Sequence, residues 1–228
     1  MTTDTIDWRD TFTWYTRETT MFMRTIQLLG KWFFYTLAQV DCEGLDNIPQ
    51  SGPCIVASNH ISNFDVGYMG ASLPRFPHFM AKRELYKNRL LGWFIRQLGS
   101  FPVHRGESDV WALNQAGQVL ETGQLLFMFP EGTRSGRQAQ MRRAKVGAIK
   151  LALEHQALVV PAAIWGTQNV RFGQRRHNQV SIRIGQALDV VAMAGSPPHH
   201  HNTYRELTIV LMKEIAAMLP PAHRGVYG

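Results

Sequence analysis

A histidine and an aspartate, His60 and Asp65, lie five residues apart, directly after an apolar run at residues 54–57. On one continuous helix this separation would place the two side chains about 140° apart, where they could not easily meet. They can meet if His60 lies in a turn and Asp65 lies in the first turn of a new helix. Ser62 or Asn63 would cap that helix. The carboxylate would then hold the imidazole in one tautomer, as in a catalytic triad, so the spacing predicts a general base oriented by a carboxylate.

A protein nucleophile to accompany this base is not evident from the sequence. No Gly-x-Ser-x-Gly segment is present, and neither Cys42 nor Cys54 lies in a nucleophile motif. A base without such a partner suggests that it deprotonates the acceptor substrate itself. A purely structural hydrogen bond between His60 and Asp65 is the alternative that the spacing leaves open.

Candidate anion-binding residues follow a second apolar run, at residues 125–129. Gly132 would allow the backbone to approach a ligand closely, and Thr133 and Arg134 would add a hydroxyl and a guanidinium. This set is suited to a phosphate at the carboxyl edge of an α/β sheet, where ligands usually bind. A surface turn with a solvated arginine is the alternative.

Two further basic residues, Lys82 and Arg105, come after predicted strands. Both leave a strand end, so both could converge with Arg134 on one anionic group. Taken singly, each is also compatible with a solvated surface charge.

Short apolar runs alternate with helical patterns from residue 53 onward. This alternation predicts a single α/β domain over residues 41–228, with a largely parallel central sheet flanked by helices. The predicted strands are residues 54–57, 78–81, 101–103, 125–129, 159–164 and 180–184. The predicted helices are residues 64–72, 85–98, 109–122 and 144–155, and a last helix begins near residue 203.

Residues 1–40 are expected to form an amphipathic helical segment that associates with a membrane. Arg24 and Lys31 interrupt its most apolar stretch, and such charges are costly at the centre of a bilayer. A helix lying in the membrane interface accommodates them, because its apolar face enters the headgroup boundary while the basic residues stay in water. A helix that buries its apolar stripe on the same domain is the alternative. One apolar face contains Phe22, Ile26, Leu29, Phe33, Leu37 and Val40, and a second strip beside it contains Met21, Leu28 and Trp32.

The charge balance favours anionic partners. The chain has 24 Lys and Arg residues against 17 Asp and Glu residues, a net charge of +7, which suits lipid headgroups, phosphorylated substrates or nucleic acid. No nucleic-acid recognition motif accompanies the basic clusters at residues 142–143 and 171–177, so no nucleic-acid partner is expected. Two cysteines and no secretion signal favour a cytoplasmic setting. The histidines at residues 199–201 lie in a turn-rich loop, and we expect no metal there.

Four segments together resemble the glycerolipid acyltransferase family, in particular bacterial 1-acylglycerol-3-phosphate acyltransferases of the PlsC type. The first family motif, NHxxxxD, matches Asn59, His60 and Asp65. The other three are matched in the family's order: the second by residues 101–105 (FPVHR), the third by residues 129–135 (FPEGTRS) and the fourth by residues 159–164 (VVPAAI).

The resemblance implies that the chain transfers a fatty acyl group to the free hydroxyl of 1-acylglycerol-3-phosphate (lysophosphatidic acid), giving phosphatidic acid, with His60 as general base and Asp65 orienting it. Acyl-coenzyme A or acyl-carrier protein would be the donor, and no metal, cofactor or covalent acyl-enzyme would be needed. The enzyme would act as a peripheral, monotopic protein on the cytoplasmic face of an anionic membrane. Another lyso-lipid acceptor, or a non-catalytic membrane adaptor on the same fold, remains an alternative. The glycerol-phosphate part of the acceptor would be held by Arg105, Glu131, Gly132, Thr133, Arg134 and Lys82.

Overall fold

The computed structural model describes residues 19–103 and 109–228. Within these ranges seven strands form one sheet in the order β1-β7-β6-β2-β5-β3-β4. Neighbouring strands are parallel except for β6 and β7, which are antiparallel. The predicted α/β class with a largely parallel sheet is therefore confirmed. The strands are β1 Gln39–Glu43, β2 Cys54–Ser58, β3 Pro77–Lys82, β4 Phe101–Val103, β5 Leu125–Met128, β6 Leu158–Trp165 and β7 Gln179–Ile184.

Helices cover both faces of this sheet. The central strand β2 explains why, because its five residues are all buried. Ile55 and Ala57 belong to one core, whereas Cys54 and Val56 belong to the other. A continuous apolar strand of this kind is typical of parallel sheets with two covered faces. The α-helices are α1 Met21–Leu37, α2 Phe64–Ser72, α3 Arg89–Gln97, α4 Val110–Glu121, α5 Gly147–Glu154, α6 Val190–Ala194 and α7 His201–Met218.

The helix predicted at residues 85–98 is divided into two pieces. A 3-10 helix occupies Arg83–Lys87 and α3 begins only at Arg89. Asn88 separates them, since its side-chain oxygen accepts hydrogen bonds from the amides of Leu90 and Leu91 and caps α3. The prediction of one continuous helix here was wrong because the Asn88 cap starts a new helix within the predicted range.

The amphipathic helix was predicted to extend to residue 40, and that end was wrong. The helix ends at Leu37, and Ala38 is already extended. Val40 lies instead in the edge strand β1, which pairs in parallel with β7. The part of the predicted segment at residues 1–18 lies outside the described residues.

The first helix docks on α2 through only part of its surface. Met23 is buried, and the side chain of Gln27 donates hydrogen bonds to the carbonyls of Gly70 and Leu73. Phe34 packs against Tyr68 with ring centroids 4.9 Å apart. Much of the predicted apolar surface of α1 stays exposed: Met21, Phe22, Leu28, Leu29, Trp32 and Phe33. No helix in the described ranges has the length and apolar character needed to cross a bilayer.

Candidate active site

The segment that carries His60 leaves the carboxyl end of β2 and is anchored there by Asn59. The Asn59 side chain is buried and makes two hydrogen bonds to Ile164 of β6, accepting from its amide at 2.9 Å and donating to its carbonyl at 2.8 Å. These bonds continue the β2–β6 pairing beyond the last paired residue. The chain therefore enters the next turn from a fixed position.

His60 and Asp65 meet in this turn. His60 Nδ1 lies 2.8 Å from Asp65 Oδ2, and both side chains are almost fully buried. The same Oδ2 accepts hydrogen bonds from the amides of Ile61 at 2.6 Å and Ser62 at 2.8 Å. The predicted geometry, with the histidine in a turn and the aspartate in the first turn of a helix, is present.

The capping of this helix differs from the expectation. Asn63 occupies the N-cap position, but its side chain makes no capping hydrogen bond, and Ser62 Oγ accepts from the amide of Phe64. The Asp65 carboxylate itself accepts the hydrogen bonds of the backbone amides just before α2. One carboxylate thus shapes the turn and orients the imidazole.

The second oxygen of Asp65 is held by Thr167, a residue that the sequence reasoning missed. Thr167 Oγ1 donates to Asp65 Oδ1 at 2.5 Å, and Thr167 is buried. It lies in the 3-10 helix Thr167–Asn169, which follows β6 after Gly166. Gly166 has φ of +89°, and a Cβ there would collide with the Gln179 carbonyl, so glycine is required for this turn.

The imidazole of His60 is fixed on its flat side by Phe129. The two rings are stacked, with centroids 3.7 Å apart and planes inclined by 12°. Since Nδ1 faces Asp65, the other ring nitrogen, Nε2, is the atom left to accept a proton from a substrate. His60 lines the large pocket described below.

Glu131 braces the turn rather than lying open beside it. Its Oε1 accepts from the amide of His60 at 3.0 Å, and its Oε2 accepts from the amide of Arg142 at 2.8 Å. Burial raises the pKa of this carboxyl to about 7, although the two amide hydrogen bonds oppose the shift. Its described contacts lie within the protein, so the predicted contact with the acceptor stays a prediction.

The rest of the 129–135 segment wraps around the same turn. Arg134 donates to Asn63 Oδ1 at 2.8 Å, and Ser135 donates to the carbonyl of His60 through both its amide and its hydroxyl. Gly132 has φ of +68°, which favours glycine. Arg134 and Gly132 line the pocket with His60, and Thr133 is exposed.

The predicted basic residues are partly located. Lys82 lines the pocket and lies 3.5 Å from Glu84 in an exposed ion pair, while Arg105 lies outside the described residues. Two lysines that the sequence reasoning did not select, Lys145 and Lys150, line the pocket as well. The Lys145 side chain passes over Gly132: a Cβ added to Gly132 would lie 3.5 Å from Lys145 Cε. The sequence feature that could have indicated Lys145 is the basic run just before α5 to which it belongs.

A pocket of about 1370 Å³ joins these groups to an apolar interior. Lysine and arginine side chains line this pocket together with His60, and most of its other lining residues are apolar. It can therefore hold a charged group and an aliphatic chain together. Apolar lining residues include Ile26, Leu29 and Phe33 of α1, Val66 of α2, Phe94 and Leu98 near α3, and Leu113 of α4.

Comparisons with known proteins agree on one family. The family model described as acyltransferase matches residues 39–165, more than half of the chain. The chain is 32% identical over 122 residues to the 1-acyl-sn-glycerol-3-phosphate acyltransferase of Bacillus subtilis, a match covering 53% of this chain and 60% of that protein. It is also 32% identical over 113 residues to the lyso-ornithine lipid O-acyltransferase of Pseudomonas aeruginosa, covering 49% and 43%.

A solved structure shares the fold. The crystal structure of the 1-acyl-sn-glycerophosphate acyltransferase PlsC from Thermotoga maritima superposes with a TM-score of 0.65 at 28% identity, over 82% of this chain and 74% of that one. The chain spans about half the length of the curated relatives it matches. The chain therefore belongs to the acyltransferase family and, as its motifs predict, to the PlsC type within it.

Proposed function

We propose that this chain transfers a fatty acyl group from an acyl thioester to the free hydroxyl of 1-acylglycerol-3-phosphate, giving phosphatidic acid. The observation that carries the proposal is the 2.8 Å contact between His60 Nδ1 and Asp65 Oδ2, because His60 also lines a large, mostly apolar pocket that contains basic residues. The relatives from B. subtilis and T. maritima are named for the same acceptor.

In the proposed reaction His60 Nε2 accepts the proton of the acceptor hydroxyl. The hydroxyl oxygen attacks the thioester carbonyl carbon, and the tetrahedral intermediate collapses as the carbon–sulfur bond breaks. The imidazolium returns its proton to the departing thiolate, so the base is regenerated. Asp65 stabilises the imidazolium that forms between these steps. The scheme uses neither a covalent acyl-enzyme nor a cofactor.

The basic residues of the pocket supply the anion site that this acceptor requires. We assign the acceptor phosphate to Arg134 and Lys82, with Lys145 as an additional ligand, because all three line the pocket that contains His60. Charge-assisted hydrogen bonds to phosphate are strong and directional, particularly from arginine. Gly132, Thr133 and Arg105 complete the proposed glycerol-phosphate site. Glu131 contributes by fixing the His60 amide.

The acceptor resides in a membrane, and the exposed face of α1 gives the chain a means to reach it. Trp32 is 71% exposed and Leu28 is 70% exposed, although α1 is docked on the domain. An amphipathic helix of this kind can lie at the headgroup boundary. We therefore propose peripheral binding to an anionic membrane surface on the cytoplasmic side, with acyl-coenzyme A or acyl-carrier protein delivering the acyl group from water.

A lyso-ornithine lipid is the second candidate acceptor, because the P. aeruginosa relative is named for it. The two candidates differ in the group that must be recognised, since lysophosphatidate carries a phosphate. The presence of Lys82, Arg134 and Lys145 in the lining of the same pocket favours the phosphate-bearing acceptor. An adaptor without activity would have no need of the buried His60–Asp65 pair.

The test is to supply purified protein with acyl-coenzyme A or acylated carrier protein and each acceptor in detergent, and to measure thiol release and lipid product. We expect phosphatidic acid from lysophosphatidate, formed about 10²–10⁴-fold more slowly by the His60→Ala protein. Faster acylation of lyso-ornithine lipid would replace the proposed acceptor with the second candidate. No product from either acceptor with either donor would contradict the enzymatic proposal and favour the adaptor.

A further inference from the structure

A strongly basic loop borders the candidate active site without taking part in it. We call residues 171–177, with the sequence RFGQRRH, the basic loop. It contains Arg171, Arg175, Arg176 and His177, and all seven of its residues are exposed. No aspartate or glutamate occurs anywhere from residue 166 to residue 188. The basic loop is therefore a local concentration of positive charge without acidic residues adjacent in sequence.

The position of the basic loop relates it to the active site. It follows the 3-10 helix Thr167–Asn169, whose first residue holds Asp65. Strands β2 and β6 are parallel, so the segments leaving their carboxyl ends emerge at the same edge of the sheet. Phe172 of the basic loop lies 6.2 Å from Phe64, at the start of α2, measured between ring centroids.

The basic loop is also fastened to the end of α1. Buried Asn178 donates from its side chain to the carbonyls of Leu37 and Arg171, and its side-chain oxygen accepts from the amide of Arg171. Arg175 Nε donates to the carbonyl of Tyr35 at 3.0 Å. The side-chain amide of Asn178 thus closes the basic loop and connects it to α1. The basic loop therefore contacts the carboxyl-terminal turn of α1, the helix that carries the exposed apolar residues.

A large apolar side chain is exposed among the charged residues of the basic loop. Phe172 is 69% exposed, although arginines occupy the preceding position and two later positions of the loop. Exposed aromatic residues among basic residues are suited to an interface in which charge meets anionic headgroups and the ring enters the boundary beneath them. Nucleic acid could pair with the arginines, but unlike a lipid surface it would not bury the exposed apolar residues of α1.

We propose that the basic loop binds the anionic headgroups of a phospholipid surface, with Phe172 inserted among them, and that it orients the active-site edge toward that surface together with α1. The inference deepens the proposed membrane association and rests on it. It assigns to this loop a partner of defined chemistry, a lipid bilayer with negative surface charge. The contribution of the loop should be electrostatic and should weaken as salt is added.

The test compares two double variants of the full chain that remove the same charge. Arg171→Gln with Arg176→Gln removes two loop arginines but keeps Arg175, which bonds to Tyr35. Arg205→Gln with Lys213→Gln is the matched control, because both residues are exposed on α7, which packs in the core cluster on the other side of the sheet from α1 and α2. Binding is measured by co-sedimentation with vesicles of phosphatidylcholine alone or mixed with phosphatidylglycerol.

We expect the loop variant to bind the anionic vesicles about 30-fold more weakly than wild type at low salt, since each basic residue near such a surface contributes about fivefold. The control should lose far less, and both variants should bind neutral vesicles as wild type does. Phe172→Ser should weaken binding even in high salt, where the charge contribution is screened. Equal losses in the two double variants, or unchanged binding in the loop variant, would overturn the proposal. Binding of the loop to duplex DNA in preference to anionic vesicles would overturn it as well.

Activity measurements separate this inference from the proposed function. Acyl transfer to a detergent-dispersed acceptor should be the same in the loop variant and in wild type, whereas transfer to an acceptor in anionic vesicles should fall with binding. Vesicle binding can be measured even if the protein acylates neither acceptor. A loss of activity in detergent equal to the loss on vesicles would show that the loop acts on the site itself, which contradicts the proposal.

Discussion

Thr167 donates a hydrogen bond to Oδ1 of Asp65, across 102 residues of sequence. The opposite carboxylate oxygen faces His60 and two backbone amides. Both oxygens of the aspartate are therefore fixed before any substrate binds. A carboxylate held in this way can keep the imidazole in one tautomer and one orientation throughout the proposed reaction.

This relationship predicts that Thr167→Val will lower kcat about tenfold and leave the KM for both substrates nearly unchanged. The substitution keeps the shape of the side chain but removes the donor, which releases one oxygen of a buried carboxylate. Thr167→Ser keeps the hydroxyl and should recover most of the activity. Steady-state kinetics of the three proteins provide the check. Equal losses in the valine and serine variants would point to packing rather than to the hydrogen bond.

The second prediction concerns Glu131 and pH. Its pKa is raised to about 7 in the folded protein, above its ordinary value near 4.5, because the carboxyl is buried. Between these two values the folded state holds a proton that the unfolded state has released. Folding stability contributed by this residue is thus fully present below about pH 4.5 and falls as the pH rises toward 7.

Denaturant unfolding of wild type and Glu131→Gln at several pH values from about 4.5 to 8 measures this effect. The stability of wild type relative to the variant should decline with rising pH and level off above about pH 7. Glu131 accepts two backbone hydrogen bonds, one with each oxygen, whereas glutamine has one side-chain oxygen and can accept only one of them. The variant should therefore also be less stable at low pH, by about 1–3 kcal/mol. Stability curves that run parallel over the whole range would contradict the assigned shift.

The third prediction tests Arg134 as a phosphate ligand. Arg134→Gln should raise the KM for lysophosphatidate about 10–100-fold, since a charged hydrogen bond to phosphate is lost. The KM for the acyl donor should change little. Asn63→Ala is the matched control, because Asn63 accepts from Arg134 and its loss frees the arginine without removing the charge. A larger KM effect from Asn63→Ala than from Arg134→Gln would show that the arginine serves the turn and not the acceptor.

Parts of this arrangement could be predicted from sequence because they are local. The buried strands are continuous apolar runs, and the Asn59-to-Asp65 motif lies within seven residues. Strand β1 was missed because its residues alternate between exposed and half-buried positions and directly follow the pattern of α1. A half-polar edge strand of five residues leaves little periodic signal.

The remaining site contacts depend on packing between distant segments. Thr167 reaches Asp65 only because β2 and β6 are neighbours, and the sequence does not state that pairing. Glu131 was selected as a substrate ligand because of its motif, and its two hydrogen bonds to backbone amides emerge only once the turns are assembled. Lys145 reaches the pocket because its segment packs beside Pro130, where the backbone amide of Lys145 donates a hydrogen bond to the carbonyl of Pro130.

The central claim is that His60 is the general base of acyl transfer, and the rate of His60→Ala tests it most directly. Thiol release from acyl-coenzyme A with lysophosphatidate in detergent is measured for wild type and the variant, with circular dichroism to compare their folding. A positioned general base contributes about 10²–10⁴-fold, so we expect kcat to fall by that factor in a folded variant. A folded His60→Ala protein that keeps kcat within about tenfold of wild type would contradict the account.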